Sequence, residues 1–471
     1  MLRSFAVILS GNASHTALGM LRSLLAAALI SLEDFGIAAT FMVAIAIMEM
    51  VSALGLKQQI VQAREGNDPD FQAALQGFQL LRGGVNALVL FLLAWPLAAF
   101  FGHPDLLWAY QVVALVPLIR AVEHFDVQRM ARRMNYVPML LASIASPLVS
   151  LLSIWPLYKV FGDFRVLLYA LLIQAVTSAV VSHLLAERRY RLRFDRQIMA
   201  ASLRFGWPLM LNGVLMFAIF HGDRMIVGRE LGMVTLALFS MALSLTLAPA
   251  SMLSAVIVKF FLPQLSAAKD DRPAFVRLSH ASTEAHLVAG FILTIGTVLL
   301  GGPFLYLALG DKYLAAIPIL VWVGIMQGIR VAKAASSTIA LSQARTFNAA
   351  LSNIPRVLML FPAWHVVASG GDLVMLIWLG ILGELVGFAI ATGLAVVHLR
   401  LPVRPLLAPA VVSIVLACVA VLHALRQSPG NWWPDPVTGA ALLVLLGLLV
   451  AASRNLRRYV ARRELTRYDE D

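Results

Sequence analysis

Arg22, Arg82, Arg224, Lys259 and Arg356 fall inside long stretches made almost wholly of apolar residues. A cation near the centre of a membrane helix costs roughly 2.5–3.5 kcal/mol on the insertion scale, so each is a site hypothesis by default. They outnumber the acids in comparable settings, Glu49, Asp223 and Glu384. Guanidinium groups hold oxyanions through paired, charge-assisted hydrogen bonds. The cationic surplus therefore points to an anionic, phosphate-bearing ligand.

Each residue also has a plainer reading. Arg22 could equally snorkel or bond backbone carbonyls. Arg356 with Glu384, and Glu49 with Arg82, sit at similar depths and read somewhat better as neutralising pairs. Asp223 beside Arg224 reads as a local lock, which makes Asp223, Glu49 and Glu384 the candidates for gating or ion coupling. Arg120, Arg330 and Lys333 lie near enough to an inner surface to serve as anchors. His15, His221, His286 and His365 could relay protons, but a lone histidine in a helix is more often a satisfied polar contact. The lone Cys418 reads as core packing. No P-loop run of the form G-x-x-x-x-G-K-[ST] is present, so energy must come from an ion gradient, the membrane potential or mass action. No H-E-x-x-H run or cysteine cluster offers zinc, and no cofactor is expected.

The elements that must carry these residues follow from composition. Of 471 residues, 60% are hydrophobic and only 13% charged, with a mean hydropathy of +0.83. That excludes an ordinary soluble domain. Apolar runs of about 20 residues must be helices, because hydrocarbon offers backbone amides no partner. The predicted fold is an all-α polytopic membrane protein with about 14 spans. They are placed at 5–31, 36–56, 78–101, 106–124, 136–160, 165–186, 203–229, 233–260, 284–308, 313–334, 347–368, 373–398, 405–424 and 437–453. The net charge of +12 is spread over loops that alternate between basic and nearly uncharged. Topology explains it better than nucleic acid does, and places both termini in the cytoplasm. The clusters at Arg188–Arg196 and Arg454–Arg463 are read as the strongest topology signals. The N-terminal run is read as a first span, because Arg22 interrupts it and it is too long for a signal peptide.

The two halves echo each other six helices apart. Leu32-Glu33-Asp34-Phe35-Gly36 matches Arg229-Glu230-Leu231-Gly232, and Leu118-Ile119-Arg120 after Gly102 matches Gly328-Ile329-Arg330 after Gly310. Parallel repeats imply two lobes related by an axis along the membrane normal, the usual plan of a transporter. The expected division is a six-helix lobe over 1–200, a second over 201–400, and two extra helices with a basic tail over 401–471. Pro355 and Pro362 mark the eleventh span as a bent, moving helix.

Several stretches carry a family likeness. "LISLEDFGIAATF" running into "GLKQQIVQ", "FGWPLMLNGVLMFAIFHGDRMIVGRELG", "FLPQLS" and "GDKYLAAIPIL" resemble the polysaccharide-transport branch of the multidrug/oligosaccharidyl-lipid/polysaccharide (MOP) exporter superfamily, the Wzx-like flippases. The resemblance covers most of residues 5–400. It implies a bundle of two six-helix lobes that moves a polyprenyl-diphosphate-linked oligosaccharide across the inner membrane by alternating access. It also implies a cationic cavity, which Arg22, Arg224 and Arg356 match best. Expected partners are that lipid-linked substrate, membrane lipids and, among proteins, a polysaccharide polymerase and other assembly components. A drug or cation exporter of the same superfamily would prefer an acidic or aromatic cavity. A membrane-embedded polymerase or glycosyltransferase would want reactive carboxylates on a large outer loop, and none is visible, so no catalytic residue is expected.

Overall fold

The computed structural model describes residues 2–345, 347–428 and 432–468. No strand occurs among them. The helices are α1 (Leu2–Leu29), α2 (Leu32–Val51), α3 (Leu56–Gln62), α4 (Pro69–Phe100), α5 (Leu107–Val113), α6 (Leu115–Ala121), α7 (Asp126–Arg132), α8 (Val137–Phe161), α9 (Arg165–Leu184) and α10 (Arg196–Ile226). They continue as α11 (Gly232–Ala267), α12 (Arg272–Leu309), α13 (Ala316–Ser342), α14 (Phe347–Leu358), α15 (Leu360–Ala368), α16 (Leu373–Leu399), α17 (Leu407–Arg426), α18 (Pro436–Ala452) and α19 (Arg454–Tyr468).

Among the described residues nine helical runs are long and apolar enough to cross a membrane, or eleven if each of two bent pairs is one span. The protein is a multi-pass membrane protein. One run, 196–267, is 72 residues long. Straight, it would measure about 108 Å, more than three times the hydrocarbon thickness. A π-helical turn at Val227–Leu231 and Gly232 at φ +81° break it between the seventh and eighth expected spans. Gly232 can hold that φ because it has no Cβ. The fourth expected span is also not one rod, since α5 and α6 meet at Ala114 and α7 turns away by 48°. The eleventh is interrupted at Met359, between Pro355 and Pro362.

The solvent pattern of a soluble protein is inverted. Large apolar side chains such as Leu92, Leu152, Leu300 and Val397 are exposed, as lipid-facing residues must be, while polar ones are gathered inside. Cys418 belongs to the exposed set and is not core, because α17 turns that face outward.

The chain forms two compact units, residues 1–237 and 238–471. In the first, α1 packs on α8 and α8 on α9. α10 belongs to this unit because it lies against α2. A Cβ at Gly213 would stand 1.8 Å from Met50 O, so only glycine admits that approach. In the second unit α13 packs on α12 and α16, and α14 lies along α16. Glycines at 380, 383 and 387 on α16 form the stripe that α14 rests on.

Candidate functional site

Arg22 stands within α1 and is only 5% exposed. Its Nη1 donates to Ser150 Oγ of α8 at 3.2 Å and to Gln174 Oε1 of α9. Ser150 passes its own hydroxyl hydrogen to Ala170 O at 2.7 Å. The Nε of Arg22 has no protein acceptor, and among the described residues no carboxylate pairs with it. The guanidinium is thus buried among neutral oxygens, with its charge uncompensated.

The second unit holds a denser centre. Glu384, fully buried on α16, accepts from Arg330 at 2.9 Å and 2.7 Å on Oε1, and its Oε2 lies 2.7 Å from Lys333 Nζ. Arg356 Nε lies 3.8 Å from the same Oε1. Arg330 also donates to Gln327 Oε1 at 3.1 Å, and Lys333 to Asn353 Oδ1 at 2.8 Å. Three cations therefore share one carboxylate. The expected Arg356–Glu384 neutral pair is a looser part of this cluster. Arg330 and Lys333 are its closest members and not surface anchors, because α13 and α14 approach the same face of α16. The sequence signal was available: Arg330 and Lys333 are one helical turn apart.

The other expected pair does not form. Arg82 Nη1 donates to Ser52 O at 2.8 Å, and Asn86 Nδ2 donates to Ser52 Oγ at 2.7 Å. Together they cap the C-terminal end of α2, where a cation also meets the negative end of the helix dipole. Glu49 pairs instead with Arg120 of α6, which is therefore not a plain anchor either. Glu49 is also not buried; its side chain is 43% exposed. Asp223 and Arg224 are both buried on α10, with Arg224 Nη1 3.5 Å from His221 Nδ1. His221 stacks on Phe217, its ring plane 15° from parallel. Lys259 is half-buried on α11.

Further buried charges escaped the sequence reading. Arg129 and Asp126 form an i,i+3 pair with almost no exposure, and Asp126 Oδ2 also accepts from the amides of Glu187 at 2.8 Å and Arg188 at 3.2 Å. Glu123 accepts from Ser178 Oγ at 2.7 Å and pairs with Lys57. The basic run after α9 is tied down by Arg188 on Gln72 and by Arg193 on Asp70 at 3.0 Å. Among the described residues no group of three or more His, Cys, Asp or Glu side chains could hold a metal ion. What both centres offer chemically is buried positive charge, suited to an anion.

The described residues thus form a helical, multi-pass membrane bundle with buried cationic centres. The chain belongs to the polysaccharide biosynthesis protein family, whose sequence signature matches residues 25–318. It is 23% identical to the succinoglycan biosynthesis transport protein ExoT of Rhizobium meliloti (strain 1021), over 64% of this chain and 61% of that protein's length. It is 21% identical to the lipopolysaccharide biosynthesis protein WzxC of Escherichia coli (strain K12), over 79% of this chain and 74% of the relative. Its fold matches the lipid II flippase MurJ in an inward closed conformation with a TM-score of 0.70 at 12% identity, covering 99% of this chain and 100% of that one. It also matches an inward-facing MATE multidrug resistance transporter at a TM-score of 0.62 and 14% identity, covering 89% and 96%. The fold is that of the MOP superfamily.

Proposed function

We propose that this chain is a flippase that carries a polyprenyl-diphosphate-linked oligosaccharide, a surface polysaccharide precursor, across the cytoplasmic membrane by alternating access. The observation that carries the reading is Arg22, a buried guanidinium whose partners among the described residues are neutral oxygens. A charge left uncompensated costs stability and persists where function needs it. The cluster of Arg330, Lys333 and Arg356 around Glu384 supplies a second positive centre, and Arg224 on α10 is a further buried cation. Asp223, Glu49 and Glu384 are the acids available for gating or coupling, with Arg82 and Lys259 as outlying cations. Within this reading the chain has 14 spans, lobes over 1–200 and 201–400, a 401–471 extension, and both termini in the cytoplasm. It transports without catalysing bond chemistry and works beside a polymerase and other assembly proteins.

The test is complementation of a strain lacking the protein. Arg22→Met should lower surface polysaccharide by more than about tenfold, the worth of one charged hydrogen bond, while membrane abundance stays unchanged. Full polymer output from Arg22→Met would overturn the reading.

A further inference from the structure

The last helix is anchored on its inner side and charged on its outer side. α19 leaves α18 at 65°. Ser453, at the break, is fully buried, and its amide and hydroxyl donate to Leu449 O at 3.0 Å and 2.8 Å. Glu284 of α12, fully buried, receives the first turn of α19. Its Oε1 accepts from Asn455 Nδ2 and its Oε2 from the amide of Leu456, both at 2.7 Å. A carboxylate at a helix N-terminus satisfies an orphan amide and sits at the positive end of the dipole. Leu456 and Tyr459 pack on the cluster of Phe261, Leu265 and Phe275, and Tyr459 donates to Gln264 Oε1.

The opposite face carries Arg454, Arg457 and Arg458, all exposed. Arg457 caps α18 by donating to Ala451 O at 2.6 Å. Arg454 and Arg458, one turn apart, have no protein partner among the described residues. The side chains of Arg462 and Arg463 lie outside the described residues. The 17 residues of α18 measure about 26 Å, close to the hydrocarbon thickness, so Arg454, two residues beyond, stands at headgroup depth. Arginines that only orient a span need no built seat, whereas this helix is fixed by a buried acid and an aromatic cluster.

We propose that α19 is a docking surface for anionic phospholipid. Arg454 and Arg458 hold headgroup phosphates of the adjoining leaflet, and Glu284 fixes the helix in the plane where they reach them. This surface is independent of the cargo reading. The test uses the intact protein in detergent, titrated with phosphatidylglycerol or phosphatidylcholine, with retained lipid counted by native mass spectrometry and melting temperature followed in parallel. Phosphatidylglycerol should bind at least tenfold tighter than phosphatidylcholine. Arg454→Gln with Arg458→Gln should weaken that binding about 30-fold, near fivefold per arginine, without changing the melting temperature in phosphatidylcholine. Should the double variant not accumulate, each single variant should show its fivefold loss. Glu284→Gln should also weaken phosphatidylglycerol binding, with both arginines present. Undiminished phosphatidylglycerol binding in the arginine variants, equal binding of the two lipids, or displacement by millimolar inorganic phosphate would each overturn the proposal. So would an arginine-dependent protein partner that leaves lipid binding unchanged.

Discussion

Arg330 reaches one carboxylate oxygen of Glu384 with two nitrogens, Nε at 2.9 Å and Nη2 at 2.7 Å, while Lys333 stands 2.7 Å from the other oxygen. The acid is fully buried and the arginine side chain only 16% exposed, which takes the contact out of the class of weak surface pairs. Its stability role is asymmetric: removing the acid strands cations, whereas removing one cation leaves two others.

Glu384→Gln should therefore destabilise the protein by about 3–5 kcal/mol, the usual cost of breaking a buried ion pair from one side. Thermal unfolding in detergent measures it. Adding Arg330→Gln to that variant should recover part of the loss, because one stranded charge goes with it. A loss below about 1 kcal/mol for Glu384→Gln would mean that water reaches the three cations.

The Glu49–Arg120 pair should behave differently. Its side chains are 43% and 32% exposed, so solvent screening limits the coupling to about 1 kcal/mol or less. A double-mutant cycle on Glu49→Gln and Arg120→Gln reads that coupling directly. A value above about 2 kcal/mol would show that the pair is closed off from water.

How far these features could be read in advance depended on their physics. Apolar length alone marked the nine to eleven runs that, among the described residues, are long and apolar enough to cross a membrane, because a helix has to cover the hydrocarbon whatever it packs against. It underestimated α4 and α12, which begin at Pro69 and Arg272, well before the expected 78 and 284, since their first turns are polar and project beyond the apolar run. The burial of Arg22, Arg224 and Arg356 was legible from their apolar surroundings. Pairing was not, because it depends on which helices become neighbours. Glu384 and Arg330 are 54 residues apart, and only the meeting of α13 with α16 joins them. Arg82 was misassigned for a related reason: the free carbonyl of Ser52 at the end of α2 competes for it, and helix ends are the least certain feature of any hydropathy reading. Glu284 was hidden at the edge of a span, where an acid looks ordinary until α19 is seen to end on it.

The glycine stripe on α16 offers a paired test within one helix. A Cβ at Gly387 would stand 2.3 Å from Ser352 O, a backbone atom that cannot rotate aside, and 3.6 Å from Lys333 Cδ. Gly387→Ala should force α14 off α16 and cost about 1–3 kcal/mol, the range for overpacking, while disturbing the cations around Glu384. Six residues on, Gly393 is exposed and has nothing within 4 Å of a built Cβ. Gly393→Ala should raise stability by up to about 1 kcal/mol, because alanine is the better helix former. Melting temperatures of the two variants decide it. Opposite signs support the close approach of α14, whereas matching shifts would show that α14 does not rest on that stripe.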